Sequence, residues 1–211
     1  MIGNDIISLA EVPSLRPGFV KKVCRASEWQ ALRESFSSHL AIWLLWAAKE
    51  SAYKVYLKDG GEQRFAPKRF FFRVSKIMGT TILGNTQTPI DNYQTLLTID
   101  KELIFAESWS NAAAYQDIIR AHFTFSSKQY QAQSFQLREG VFALIAQHFG
   151  LPEPLLRIAK NSLGVPSIWC GKTCLPLSIS LSHHGYFGSF CAVGPKVLVE
   201  DIKNGDLSKA E

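Results

Sequence analysis

The chain opens on Ile2-Gly3-Asn4-Asp5-Ile6-Ile7, an apolar-rich run that reads as a buried strand. Pro13 and Pro17 then break it. Ser27 with Gln30 forms a capping-box pattern, and Trp29, Leu32 and Phe36 follow at helical spacing. A second, longer helix is predicted from about Ser38 to Lys58, stopped by Gly60-Gly61. Short strands follow over Arg69 to Ser75, Tyr93 to Ile99 and Glu102 to Trp109, with Asn85 to Asn92 reading as a turn.

The pattern then restarts. A strand is expected over Ala113 to Ala121, then a helix from about Ser134 to Phe149 that ends at Gly150. Strands follow over Pro176 to Leu181, Gly188 to Val193 and Val197 to Ile202. Gln116-Asp117-Ile118-Ile119 echoes Asn4-Asp5-Ile6-Ile7. The expectation is an α+β fold built as a pseudo-twofold pair of similar halves, each a long helix packed on a small antiparallel sheet. The halves are placed at 1–110 and 111–211. Clefts between such halves are favoured ligand sites.

Composition narrows the class. The chain has 211 residues, 46% of them hydrophobic, with 14 Phe and 5 Trp, enough for a packed core. No apolar run reaches the roughly 18 residues of a membrane span. The N-terminus lacks the basic start and cleavage site of a signal peptide. Cys24, Cys170, Cys174 and Cys191 read as reduced thiols in a cytoplasmic protein, since no further Cys or His completes a zinc set around Cys170 and Cys174. The net charge of +5 favours acidic partners. Arg64 to Lys76 interleaves basic residues with Phe65, Phe70, Phe71 and Phe72; it reads either as an RNA-binding strand or as a plain amphipathic one.

Three groups of residues carry candidate chemistry. Trp43, Trp46, Glu50 and Lys54 share one helical face. Glu50 and Lys54 are either an exposed ion pair or part of a cleft, and the two tryptophans favour the cleft. Asp5 sits among Ile2, Ile6, Ile7 and Leu9, where a carboxylate must be paired, hydrogen-bonded or coordinated. It either caps the following turn or binds a metal; two carboxylates with open positions suit Mg²⁺. His183 and His184 end an apolar strand before Gly185, as packed turn histidines or as donors to a phosphate.

Taken together, these residues resemble the 4'-phosphopantetheinyl transferase superfamily. Gly3, Asp5 and Ile6 resemble its Gly-x-Asp-Ile element. Trp46, Lys49, Glu50 and Lys54 resemble its Trp-x-x-Lys-Glu-x-x-x-Lys helix. Phe19 to Glu28, Arg138 to Gly150, Gly164-x-Pro166 and Ser180-Leu181-Ser182-His183 resemble the remaining elements. The acidic half comes first, as in the short holo-acyl-carrier-protein synthases, although the length fits a two-half protein. Ile7 stands where larger members often carry a further acid, and Val165 where a Lys or Arg is usual; Lys160, Arg157 or Lys172 are the candidates to replace that cation.

The resemblance implies Mg²⁺-dependent transfer of 4'-phosphopantetheine from coenzyme A to a serine of an apo acyl or peptidyl carrier protein. It implies Asp5 and Glu50 as metal ligands, with Glu50 taking the serine proton directly or through a metal-bound water. Lys54 would hold a phosphate oxygen, and Lys160, Ser182 and His183 would grip the nucleotide end. The implied partners are coenzyme A and an acidic carrier protein, with no membrane and no nucleic acid, and the chain is expected as a monomeric pseudodimer. The alternative is a non-catalytic relative that binds coenzyme A or a carrier protein.

Overall fold

The computed structural model describes residues 1–110 and 118–194. Five strands and three helices make up the first half: β1 (Ile2–Ser8), α1 (Phe19–Val23), α2 (Ala26–Arg33), α3 (Ser38–Lys58), β2 (Phe71–Met78), β3 (Thr81–Gln87), β4 (Asn92–Asp100) and β5 (Leu103–Trp109). The second contains β6 (Ile119–Thr124), α4 (Tyr130–Phe149), β7 (Leu156–Lys160), β8 (Pro166–Cys170), β9 (Thr173–Cys174), β10 (Ser178–His184) and β11 (Phe187–Val193). The fold is α+β with antiparallel sheets throughout. The echo at Gln116-Asp117, the start of the strand expected at Ala113 and the strand expected at Val197 to Ile202 lie outside the described residues.

The first sheet has the order β1-β5-β4-β3-β2, so β1 is an edge strand. Helix α3 packs on it through Ala41, Leu45, Ala48, Ala52 and Val55, all buried. Ser37 starts α3 by accepting the Leu40 N–H at 3.2 Å. Gly60, at φ +88°, ends it in a left-handed conformation that glycine adopts without strain. Under the helix runs a line of buried hydroxyls: Ser51 meets Ser108 at 2.8 Å, Ser108 meets Thr95 at 2.9 Å, and Thr95 meets Thr86 at 2.8 Å. Ser51 donates onward to the Ala48 carbonyl at 3.0 Å, so the row runs from Thr86 through Thr95 and Ser108 to Ser51 and every hydroxyl proton has an acceptor.

Three local expectations are corrected. Helix α2 begins at Ala26, and its Glu28 carboxylate takes the Arg25 N–H at 2.8 Å, so the Ser27–Gln30 pair is not the cap. The Asn85 to Asn92 turn is shorter than expected, because Asn85 to Gln87 pair with β4 inside β3. The strand expected from Arg69 runs from Phe71 to Met78, with a bulge between Val74 and Lys76. It turns Phe70 and Phe72 into the core, leaving Phe71 under the guanidinium groups of Arg25 and Arg73.

The most demanding interaction in this half is ionic. Lys49 and Glu28 are both fully buried, 2.7 Å apart. Lys49 also donates to the Val23 carbonyl at 3.0 Å, and Glu28 accepts the Phe72 N–H at 2.9 Å. One lysine thereby fastens α1, α2 and β2 to α3. Burial pushes the Lys49 pKa down and Glu28 opposes that shift. Because a lone buried charge is far costlier than a pair, Glu28→Ala is expected to destabilise the protein by about 3–5 kcal/mol in urea unfolding. The paired replacement Glu28→Gln with Lys49→Met is expected to cost less than that single change.

Candidate active site

Close approach of β1 to α3 builds the acidic end of the site. A β-carbon on Gly3 would lie 2.2 Å from the Ser51 carbonyl oxygen, so only glycine fits there. That contact brings Lys54 over β1, where its Nζ donates to the Asn4 carbonyl at 2.7 Å and lies 3.4 Å from Asp5 Oδ1. One turn on, Lys58 donates to the carbonyls of Ile2 and, at 2.5 Å, Ile179 of β10. Burial lowers its pKa to about 8.

Asp5 is buried, and desolvation is the main reason its pKa rises to about 8. The charge of Glu50 adds to the rise; Lys54 and a hydrogen bond from the Ile6 N–H oppose it. Glu50 is held from the other side by Trp46, whose Nε1 donates to Glu50 Oε2 at 2.7 Å. Trp46 is itself set among aromatic rings, 6.0 Å from Phe19 and 5.5 Å from Phe65. The tryptophan at the head of the helical motif thus aims the carboxylate one turn away.

Glu50, Lys54 and Lys58 line a cavity of about 260 Å³ that is closed by the second half, through Lys160, the Gly164–Val165 turn and Ser180. Lys160 supplies positive charge beside the uncharged Val165, whereas Arg157 is spent over the Trp169 ring, 4.4 Å from its centroid. Ser182 and His183 follow the lining residues along β10. The Ser182 hydroxyl is buried without a hydrogen-bond partner. His183 is half-buried against Tyr130, ring centroids 5.2 Å apart. Burial, then the charges of Lys54, His184 and Lys160, push its pKa down. A larger cavity of about 580 Å³ is lined by Phe105, His122 and the Glu107–Arg120 pair, and by none of the predicted site residues.

Some functional side chains went unread in the sequence. Lys58 repeats the four-residue spacing of Glu50 and Lys54, and that spacing was the available signal. Ser178 and Ser180 accept backbone N–H groups of β1, from Ile2 at 3.1 Å and Asn4 at 3.0 Å. Their signal was serine at alternate positions of an apolar strand. Glu28 gave none, since its partner is 21 residues away.

Glu50 and Lys54 of the motif line one cavity, Asp5 lies beside Lys54, and Lys49 is spent inside the core on Glu28. A model of the 4'-phosphopantetheinyl transferase superfamily matches residues 1–110. The chain belongs to that superfamily. No curated protein matches it. Membership makes phosphopantetheine transfer the general chemistry of this phosphopantetheinyl transferase, with coenzyme A as the substrate of the family. Among the described residues no helix is long and apolar enough to cross a membrane, and no three His, Cys, Asp or Glu side chains form a ligand cluster.

The raised pKa of Asp5 has a definite sign for stability. Between its unfolded value near 3.8 and its folded value of about 8, the folded protein holds a proton that the unfolded chain has lost. Stability therefore falls as pH rises through that window and levels off above it. In EDTA, Asp5→Asn is expected to raise the melting temperature by several degrees at pH 8 and to change it little at pH 4. Calorimetry across that range checks this.

Proposed function

We propose that this protein transfers 4'-phosphopantetheine from coenzyme A to a serine of an acidic apo carrier protein, in the manner of holo-acyl-carrier-protein synthases. The observation that carries the proposal is the shared cavity, in which Glu50 and Lys54 of α3 face Lys160 from the other half. The serine oxygen bonds to the phosphorus that bears pantetheine, and the pyrophosphate P–O bond breaks. Adenosine 3',5'-bisphosphate leaves. Glu50, aimed by Trp46, takes the serine proton. Lys54 holds an oxygen of the transferred phosphate as charge builds on it. Lys160 and His183 face the nucleotide end, with Ser182 beside them on β10.

Mg²⁺ fits the acidic end. Asp5 and Glu50 are oxygen donors, their mutual repulsion is costly, and Mg²⁺ keeps waters and takes phosphate oxygens in place of a full protein shell. When bound, it neutralises the charge of the pyrophosphate. Asp5 and Glu50 are the residues that would hold it. The division into an acidic half over 1–110 and a coenzyme half over 111–211 is part of the same reading. So is a pseudo-twofold relation between the halves. It is supported by strand order: the sheet β6-β11-β10 pairs the first strand of its half with the last and the last with the one before it, as β1-β5-β4 does.

Incubation with coenzyme A, Mg²⁺ and a panel of apo carrier proteins, read by intact mass, tests the proposal. A gain of one phosphopantetheine on a carrier supports it; coenzyme A binding without transfer to any carrier favours the non-catalytic relative. Lys54→Ala is expected to cut turnover by roughly a hundredfold or more while leaving the fold intact, as loss of an electrostatic stabiliser does. Turnover close to wild type in a folded Lys54→Ala protein would remove Lys54 from the chemistry.

A further inference from the structure

Strand β1 is an edge strand, so the backbone groups of its even residues point away from β5. Three of these N–H groups end on β10 side chains: Ile2 on Ser178 Oγ, Asn4 on Ser180 Oγ, and Ser8 on His184 Nδ1 at 3.0 Å. Every rung has the same offset, 176 residues, so β1 and β10 run in parallel, joined by side chains. At that offset the missing rung is Ile6 with Ser182. There the Ile6 N–H lies next to the Asp5 carboxylate and favours its charged form, and the buried Ser182 hydroxyl has no partner.

We propose that Asp5 holds this rung open and that a divalent cation closes it. As the Asp5 carboxylate turns to the cation it releases the Ile6 N–H, and Ser182 Oγ accepts that N–H. Ser182 is then a positioning residue for the metal carboxylate. The inference rests on Asp5 being a metal ligand. It accounts for a buried hydroxyl without a partner, which native proteins seldom tolerate. It also gives the second half a part in cation binding. Ser180, on the neighbouring rung, lines the cavity, so closing the seam fixes the cavity wall as the cation arrives.

Amide exchange at Ile6 in the full chain, in EDTA and in saturating Mg²⁺, tests this, with Mn²⁺ binding followed by electron paramagnetic resonance. In the wild type the Ile6 amide is expected to be protected in both states. In Ser182→Ala it is expected to stay protected in EDTA and to exchange roughly tenfold faster or more in Mg²⁺, with Mn²⁺ affinity down by a similar factor. Ser182→Thr, which keeps the hydroxyl, is expected to restore both. Ser178→Ala removes a rung remote from Asp5 and is expected to lower the melting temperature with Mn²⁺ affinity unchanged. If Ser182→Ala does not fold, Ser182→Cys, with a weakly accepting sulfur, takes its place.

Ile6 exchange in Ser182→Ala that ignores Mg²⁺, with Mn²⁺ bound as in the wild type, would overturn the rung and leave Asp5 as a ligand. Exchange raised equally in both states would reduce Ser182 to packing and overturn it too. Wild-type protein that binds no Mn²⁺, or binds it equally well as Asp5→Asn, would remove the metal role of Asp5 and this inference with it.

Discussion

Everything at the site follows from how the free edge of β1 is closed. An edge strand carries backbone donors and acceptors that demand partners, and a buried edge cannot leave them to water. A neighbouring strand would ordinarily supply a backbone ladder. Here side chains do it. Serines and a histidine of β10 take the N–H groups, while Lys54 and Lys58 of α3 take the carbonyls of Asn4 and Ile2. The carbonyl of Ser8 is met by the Glu11 N–H at 3.1 Å. Because the partners are side chains from two different elements, the edge becomes a three-way junction, and the cavity opens where those elements meet.

Three lysines of α3 divide the work by depth. Lys49 lies fully inside and pairs with Glu28, which makes it an anchor for the segment leading into the helix. Lys58 lies between the halves and holds one carbonyl from each, so its charge serves their docking. Lys54 is the intermediate case. It is partly open to the cavity, tied to β1 by a carbonyl, and only loosely paired with Asp5 at 3.4 Å. A cation held by a backbone carbonyl and not fully consumed by a carboxylate stays free to meet phosphate.

Much of this was legible in the sequence. Helix α3 was legible from about Ser38 to Lys58 because a sustained stripe at helical spacing and a glycine stop agree there, and the Ser37 cap adds to both. Asp5, Glu50 and Lys54 stood out because a carboxylate in an apolar strand and a charged pair beside tryptophans each need a partner. Strand β3 was missed because Gly84, Asn85 and Pro89 carry turn chemistry, and pairing with β4 overrode it. The Ser-x-Ser-x-Ser-x-His alternation was visible, but its role as an acceptor row was not, since that depends on which strand lies opposite. Non-local pairing of this kind has no local signature. The same limit hid Glu28, whose partners Lys49 and Phe72 belong to other elements.

The 176-residue offset between β1 and β10 bears on how the chain must be built. Residues 1–110 alone would contain every acid of the site and the entire first sheet. They would also present β1 with its donors at Ile2, Asn4 and Ser8 uncovered. Such an edge is a template for another strand, and the nearest one in solution would be the β1 of a second copy. The second half is therefore a permanent chaperone to the first. It occupies an edge that would otherwise recruit its own kind, and it does so with hydroxyls and an imidazole that cannot propagate a ladder.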